Sequence, residues 1–242
     1  MSTIWNLFFY QPTYNLLIVL INKVTLGDIG LAIILITIIV KLILFPLTRK
    51  SIKTQIMMKR MQPELEKIKN DFPDREEQAK KTFELYKKYD TNPFSGFLLI
   101  FIQFPVLIAL YRVFYNGFTA ASYKSLYSFV QIPTILNSNF LGFIDLYHKS
   151  IILALLAGVS QFVQAYLASP IESKPSTPNT NKKFADELAS SMQTNMKYTL
   201  PVIITLITYN ISAALALYIA ISNIFTIAQE WYVRSKLEIK AQ

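Results

Sequence analysis

Apolar runs of membrane-spanning length alternate along this chain with polar, mostly basic segments. The first long run covers 27–47 and carries one positive charge, Lys41. A helix over it rises about 30 Å at ~1.5 Å per residue, the thickness of a bilayer's hydrocarbon core. Further runs at 94–115, 150–168, 196–210 and 213–232 predict four more spans, the last two separated by a break at Tyr209-Asn210-Ile211-Ser212. Span 196–210 would rise only ~21 Å, which calls for local bilayer thinning or polar surroundings. In 150–168 the small residues Ala154, Ala157 and Gly158 permit close helix packing.

The segments between the spans have patterns of their own. In 1–26, Leu7, Phe8, Tyr14, Leu17, Ile18 and Ile21 recur at helical spacing beside Trp5, Phe9 and Tyr10. This predicts an amphipathic helix lying along the outer membrane surface. A span there is disfavoured because Asn15 and Asn22 would meet lipid. Segment 48–93 keeps helical apolar spacing on either side of Pro73-Asp74, with Asp74 and Glu77 spaced as a capping box for the second arm. It predicts an antiparallel helical hairpin outside the membrane, with Pro63 kinking the first arm or opening its second half. Segment 116–149 is an extracytoplasmic loop, 169–195 a loop rich in Pro, Ser, Thr and Asn, and 233–242 a short basic tail.

Charge sets the orientation. The net charge is +9, and 48–92 alone holds twelve Lys and Arg against eight Asp and Glu. Lys174, Lys182, Lys183 and Lys197 follow the third span, and Arg234, Lys236 and Lys240 follow the fifth. The opposite side has only Lys23, Lys124 and the border residues Arg112 and Lys149. The positive-inside rule then puts the N-terminus outside and the C-terminus in the cytoplasm of a multi-pass protein.

Composition narrows the chemistry. There is no cysteine and one histidine, His148, so thiol catalysis, disulfides and Cys or His-cluster metal sites are excluded. Within the spans the only acids are Asp28 and Glu230, each at an extreme end. No serine or threonine there has a partner base, so no catalytic residues, metal or cofactor are expected. What remains is a set of uncharged polar residues and one cation: Thr37, Lys41, Gln103, Gln161, Gln164, Thr208, Tyr218, Ser222, Asn223 and Gln229. An ammonium deep in a span costs roughly 2.5–3.5 kcal/mol. Lys41 either snorkels to the headgroups or faces a wet recess. Thr37 and Thr48 on the same helical face favour the recess. Taken together the polar residues suggest a hydrophilic groove within the inner leaflet. A channel or small-solute transporter is the alternative reading.

Several stretches resemble the YidC/Oxa/Alb family of membrane protein insertases in its short bacterial form, without a large extracytoplasmic domain. They are Thr37-Ile-Ile-Val-Lys41-Leu-Ile-Leu-Phe-Pro-Leu47; Met61-Gln62-Pro63-Glu64; Asn92-Pro-Phe-Ser-Gly96 with Ile102-Gln-Phe-Pro-Val-Leu-Ile-Ala-Leu-Tyr111; Leu200-Pro-Val202; and Leu217-Tyr218 with Ser222-Asn223. The resemblance implies five transmembrane helices around a groove open to cytoplasm and lipid, with the helical hairpin on the cytoplasmic side. It implies insertion and folding of newly made membrane proteins without nucleotide hydrolysis, in the bacterial plasma membrane. Nascent membrane proteins and the bilayer would be partners, with the ribosome and the Sec translocon as further ones, and no nucleic acid would be read directly. The groove residues would be Lys41, Thr37, Gln103, Gln161, Gln164, Tyr218, Ser222 and Asn223. Where the family has a groove arginine this chain has Lys41, which keeps the charge and loses the planar fork. Where the family pairs two tyrosines it has Tyr218 and Ile219. Phe97 and Leu99 replace a common Cys and Pro.

Overall fold

The structure, a computed structural model, describes residues 3–92, 95–168 and 195–239. Most of the expected loop 169–195 lies outside the described residues. A helical turn (Thr3–Trp5) and a π-helical turn (Asn6–Tyr10) lead into α1 (Gln11–Lys23), followed by α2 (Ile29–Ile43), α3 (Phe45–Asp71), α4 (Arg75–Lys88) and α5 (Ser95–Asn116). After a short helix α6 (Ala120–Tyr123) come two paired strands, β1 (Asn139–Phe140) and β2 (Ile144–Asp145), then α7 (Ile151–Ala168). A second π-helical turn (Asn195–Thr199) opens α8 (Leu200–Ile211), and Ser212 separates it from α9 (Ala213–Ile239).

The chain is mostly helical, and α9 is its axis, packing on α7, α2 and α3. Its first half makes this possible. Ala213, Ala214, Ala216 and Ala220 are fully buried, so neighbouring backbones come close. α7 and α8 also meet closely: a Cβ on Gly158 would lie 1.8 Å from Thr205 Oγ1.

α2 begins at Asp28, whose carboxylate accepts from the Leu31 amide at 2.9 Å. The apolar run reaches Leu47, yet the helix stops at Ile43. Leu44 carries a 65° bend, and Pro46 sits in the first turn of α3, where a missing N–H costs nothing. Thr48 therefore lies beyond the bend rather than on a straight continuation of the Thr37–Lys41 face; its hydroxyl donates to Leu44 O at 3.1 Å. Pro63 lies inside α3 and does not end it. By length and composition Ala213–Leu237 can cross a membrane alone, α2 only together with α3, while Phe104–Asn116 and Ile151–Leu167 are apolar but shorter.

α1 packs against α2 and α5. Of its expected apolar face, Tyr14, Leu17, Ile18 and Ile21 are fully buried, whereas Leu7 and Phe8 stay exposed. The two asparagines that argued against a span clasp the loop above. Asn15 donates to Ser125 O at 3.0 Å and to Gln11 O at 2.8 Å, and accepts from the Tyr127 amide at 2.7 Å. Asn22 donates to Gln131 O at 2.7 Å. Farther along, the loop amides and carbonyls of Gly27, Ile29 and Asn137 exchange bonds, and Leu146 O and His148 O accept from the Ala214 and Ala213 amides. α9 also runs on to Ile239, so the first residues of the expected tail are helical.

Candidate functional site: a polar seam between α2 and α9

α9 places Ser222, Thr226 and Gln229 at i, i+4 and i+7, one face of a helix. That face meets the end of α2. Lys41 is 8% exposed, and its ammonium donates to Thr226 Oγ1 at 2.8 Å. Thr226 spends its own hydrogen on Ser222 O, 2.8 Å away, and so presents a lone pair to the lysine. Among the described residues no carboxylate pairs with Lys41. Because α2 stops at Ile43, the Lys41 carbonyl is among those without an intrahelical partner, and Gln229 Nε2 supplies one at 3.1 Å. The other end of that amide, Oε1, is buried with no partner. Beside it a pocket of about 220 Å³ is lined by Leu42, Phe45, Phe225, Ala228, Gln229 and Tyr232.

A second polar group joins α9 to α7. Asn223 Nδ2 donates to Ser160 Oγ and to Gln161 Oε1, both at 3.2 Å. Thr37 is buried one turn before Lys41, and its hydroxyl is spent within α2 on Ile33 O at 2.6 Å. Tyr218 is buried on α9 one turn before Ser222. Gln161 and Gln164 are half-buried on α7, and Gln164 makes none of these bonds. The side chain of Gln103 lies outside the described residues. Thr37, Lys41, Tyr218, Ser222 and Asn223 are thus packed between helices in this structure, a polar seam rather than an open trough. Thr226 and Ser160 were missing from the sequence-based set. The spacing of Thr226 between Ser222 and Gln229 is the signal that finds it.

The lower end of the seam is tied by charge. Glu230, buried, pairs with Arg234 one turn on. Arg234 Nη2 and Lys59 Nζ both donate to Leu167 O, at 2.9 and 3.3 Å, placing two cations at the C-terminal end of α7. Burial, with Arg234 beside it, holds the Lys59 ammonium below its ordinary pKa.

In segment 48–93, Asp74 caps α4 through the Glu77 amide at 3.2 Å. The far end of α4 returns to α3 near its proline. Glu64 accepts from Lys88 at 3.1 Å and from the Tyr89 hydroxyl, and Thr91 donates to the Met61 sulfur at 3.7 Å. Met61 is fully buried, Gln62 is half-buried and Pro63 is exposed. The Tyr89 hydroxyl, and then Lys88, hold the Glu64 carboxyl below its ordinary pKa.

Residues 20–241 match the family described as the 60 kDa inner membrane protein. The chain is 31% identical over 211 residues to the membrane protein insertase YidC of Fusobacterium nucleatum, covering 87% of this chain and 88% of that one. It is 35% identical over 215 residues to the YidC of Clostridium tetani, covering 87% and 83%. Against the longer YidC of Wolinella succinogenes it is 33% identical over 234 residues, but these span only 38% of that protein. A crystal structure of an active YidC insertase with its first transmembrane domain resolved shares the fold. The TM-score is 0.59 at 24% identity, covering 96% of this chain and 47% of that one.

Proposed function

The chain belongs to the 60 kDa inner membrane protein family, that of the YidC insertases, and from this we propose how its own residues insert newly made membrane proteins. The family is not an enzymatic one. None of the relatives named above is a channel or a transporter.

We read five spans with the N-terminus outside, as the basic residues of 48–92 and of the end of α9 favour. Segment 48–93 then lies in the cytoplasm, where it recruits or guides the client. The seam between α2 and α9 is the resting form of the groove. A client's polar, often acidic, flank enters from the cytoplasm and replaces Thr226 as the partner of Lys41. A carboxylate is the stronger acceptor for an ammonium, so the exchange is favourable once the helices part. The hydroxyls and amides of Thr37, Ser222, Asn223 and Gln161 stand in for lost hydration, lowering the cost of taking polar groups into the membrane. The client's apolar segment then partitions into lipid, which drives the process. α8 is short, and the thin bilayer beside it shortens the remaining distance. Clients are nascent membrane proteins, with the ribosome and the Sec translocon as further partners.

The observation that carries this reading is a buried ammonium whose acceptor is a hydroxyl and not a carboxylate. The test replaces Lys41 with Ala, Arg or Glu in reconstituted vesicles and follows insertion of single-span substrates with acidic N-tails. Lys41→Arg should work and Lys41→Glu should fail. Equal insertion by Lys41→Glu overturns the attraction.

A further inference from the structure

The β-hairpin before α7 is built the wrong way round for a loop in water. Its base is polar, with Asn139 opposite Asp145. The next pair, Phe140 and Ile144, points inward and is buried. Phe140 lies over Gly30 in the first turn of α2, so closely that a Cβ there would be 2.3 Å from the ring. The tip then turns apolar residues outward: Leu141 is 65% exposed and Phe143 70%. Leu141 also has a left-handed backbone, φ 55°, as does Gly142 at 80°. That conformation suits glycine or asparagine, and a leucine there gains nothing from water.

We propose that residues 141–143 form a wedge embedded in the acyl chains of the outer leaflet. The proposal rests on the membrane topology set out above. Three observations select lipid as the occupant. Phe140 fixes the tip at the level where α2, the first span, begins. Exposed apolar residues recur a few positions on at the start of α7, at Ile151, Ile152 and Leu155. Between the two in sequence lies Lys149, which donates to Asn210 Oδ1 at 3.4 Å and sits 5.6 Å from the Tyr209 ring. A lysine over a tyrosine between apolar surfaces is the arrangement of a headgroup belt. The wedge is not loosely hung. Leu146 O and His148 O, just beyond it, accept from the first two amides of α9, so it is fastened at the junction with the short α8. It therefore disturbs the outer leaflet beside the span that most needs a thin bilayer.

The chain has no cysteine, so single Phe143→Cys, Leu155→Cys and Lys149→Cys variants of the full chain can carry a nitroxide. The probe is the label's accessibility to oxygen and to a water-soluble nickel chelate in phosphatidylcholine–phosphatidylglycerol vesicles. All three side chains are exposed, so the labels leave the core intact. The expected result is a severalfold excess of oxygen over nickel accessibility at 143 and 155, reversed at 149. Nickel accessibility at 143 with lipid exposure at 155 overturns the wedge and leaves the spans standing. Nickel accessibility at both positions overturns the topology and the wedge with it. A label at 143 shielded from both reagents means a protein partner, such as a second copy, and also overturns the proposal.

Discussion

At one end of the bundle, the start of α2, the loop over it and the start of α9 are joined by backbone. The amides and carbonyls of Gly27, Ile29, Asn137, Leu146, His148, Ala213 and Ala214 are bonded to one another, and Asn15 holds both an amide and a carbonyl of the loop. Under this clasp Leu17, Ile18, Ile21, Ile29 and Ile33 are fully buried, with the Tyr14 hydroxyl as the buried polar atom without a partner. At the end where α2 bends into α3 the connections between helices run through a side chain, to another side chain or to a carbonyl. Lys41 rests on a hydroxyl, while Ser51 Oγ and Gln229 Oε1 are buried without partners. Backbone bonds in an apolar setting cannot be exchanged for anything a client brings. A lysine–threonine bond can be. The difference separates a fixed end from an exchangeable one.

The comparison breaks first at Lys41. Lys41→Glu should lower insertion of an acidic-tailed client at least tenfold, about 1.4 kcal/mol of lost stabilisation, while thermal stability changes far less than rate. If Lys41→Arg fails equally, geometry rather than charge governs the seam. Next comes the backbone-bonded end. Asn15→Leu strands a loop amide and a loop carbonyl, costing about 2–3 kcal/mol and roughly 5–10 °C in Tm. Insertion per folded molecule should be unchanged, and a loss in step with Lys41→Glu would erase the distinction between the two ends. A smaller effect is expected from Thr226→Val, nearly isosteric and without an acceptor. It should raise nascent-chain crosslinking from position 37 about threefold, because the resting partner of the ammonium is gone. A fall in crosslinking would make Thr226 part of client binding instead.

The smallest effect lies in segment 48–93. Glu64 is held below its ordinary pKa in the folded state, so its contribution is complete above the unfolded value of about 4.3 and disappears as pH falls through the lower folded value. Tyr89→Phe removes the main cause. The acid limb of unfolding of 48–93, followed by circular dichroism, should move to higher pH with activity at neutral pH intact.

The break at Ser212, the cap at Asp74 and the polar residues of α9 were all legible in the sequence, because each is a local signal: a polar interruption, an N-cap spacing, a helical period. The bend at Leu44 was hidden within an unbroken apolar run, where Pro46 reads equally well as part of a span or as the first turn of the next helix. The β-hairpin was invisible because two-residue strands have no period to detect. Lys41 was found by its charge, but its partner is 185 residues away, and no periodicity within one helix reports a contact between two. The exposure of Leu7 and Phe8 was missed for the same reason. Spacing tells which residues share a face, and packing decides which part of that face has a neighbour.

α9 takes part in contacts at both ends of the bundle and at its middle. Its first amides are fastened to the loop, its middle receives Lys41 and Asn223 bonds to α7, and Arg234 near its end holds Leu167 O. Turning this rod by one residue would swing each side chain through about 100° and unseat all of these attachments together. By number of attachments α9 is the mast of the bundle, and α2, which ends at the bend at Leu44, is stayed to it there by Lys41 and Gln229.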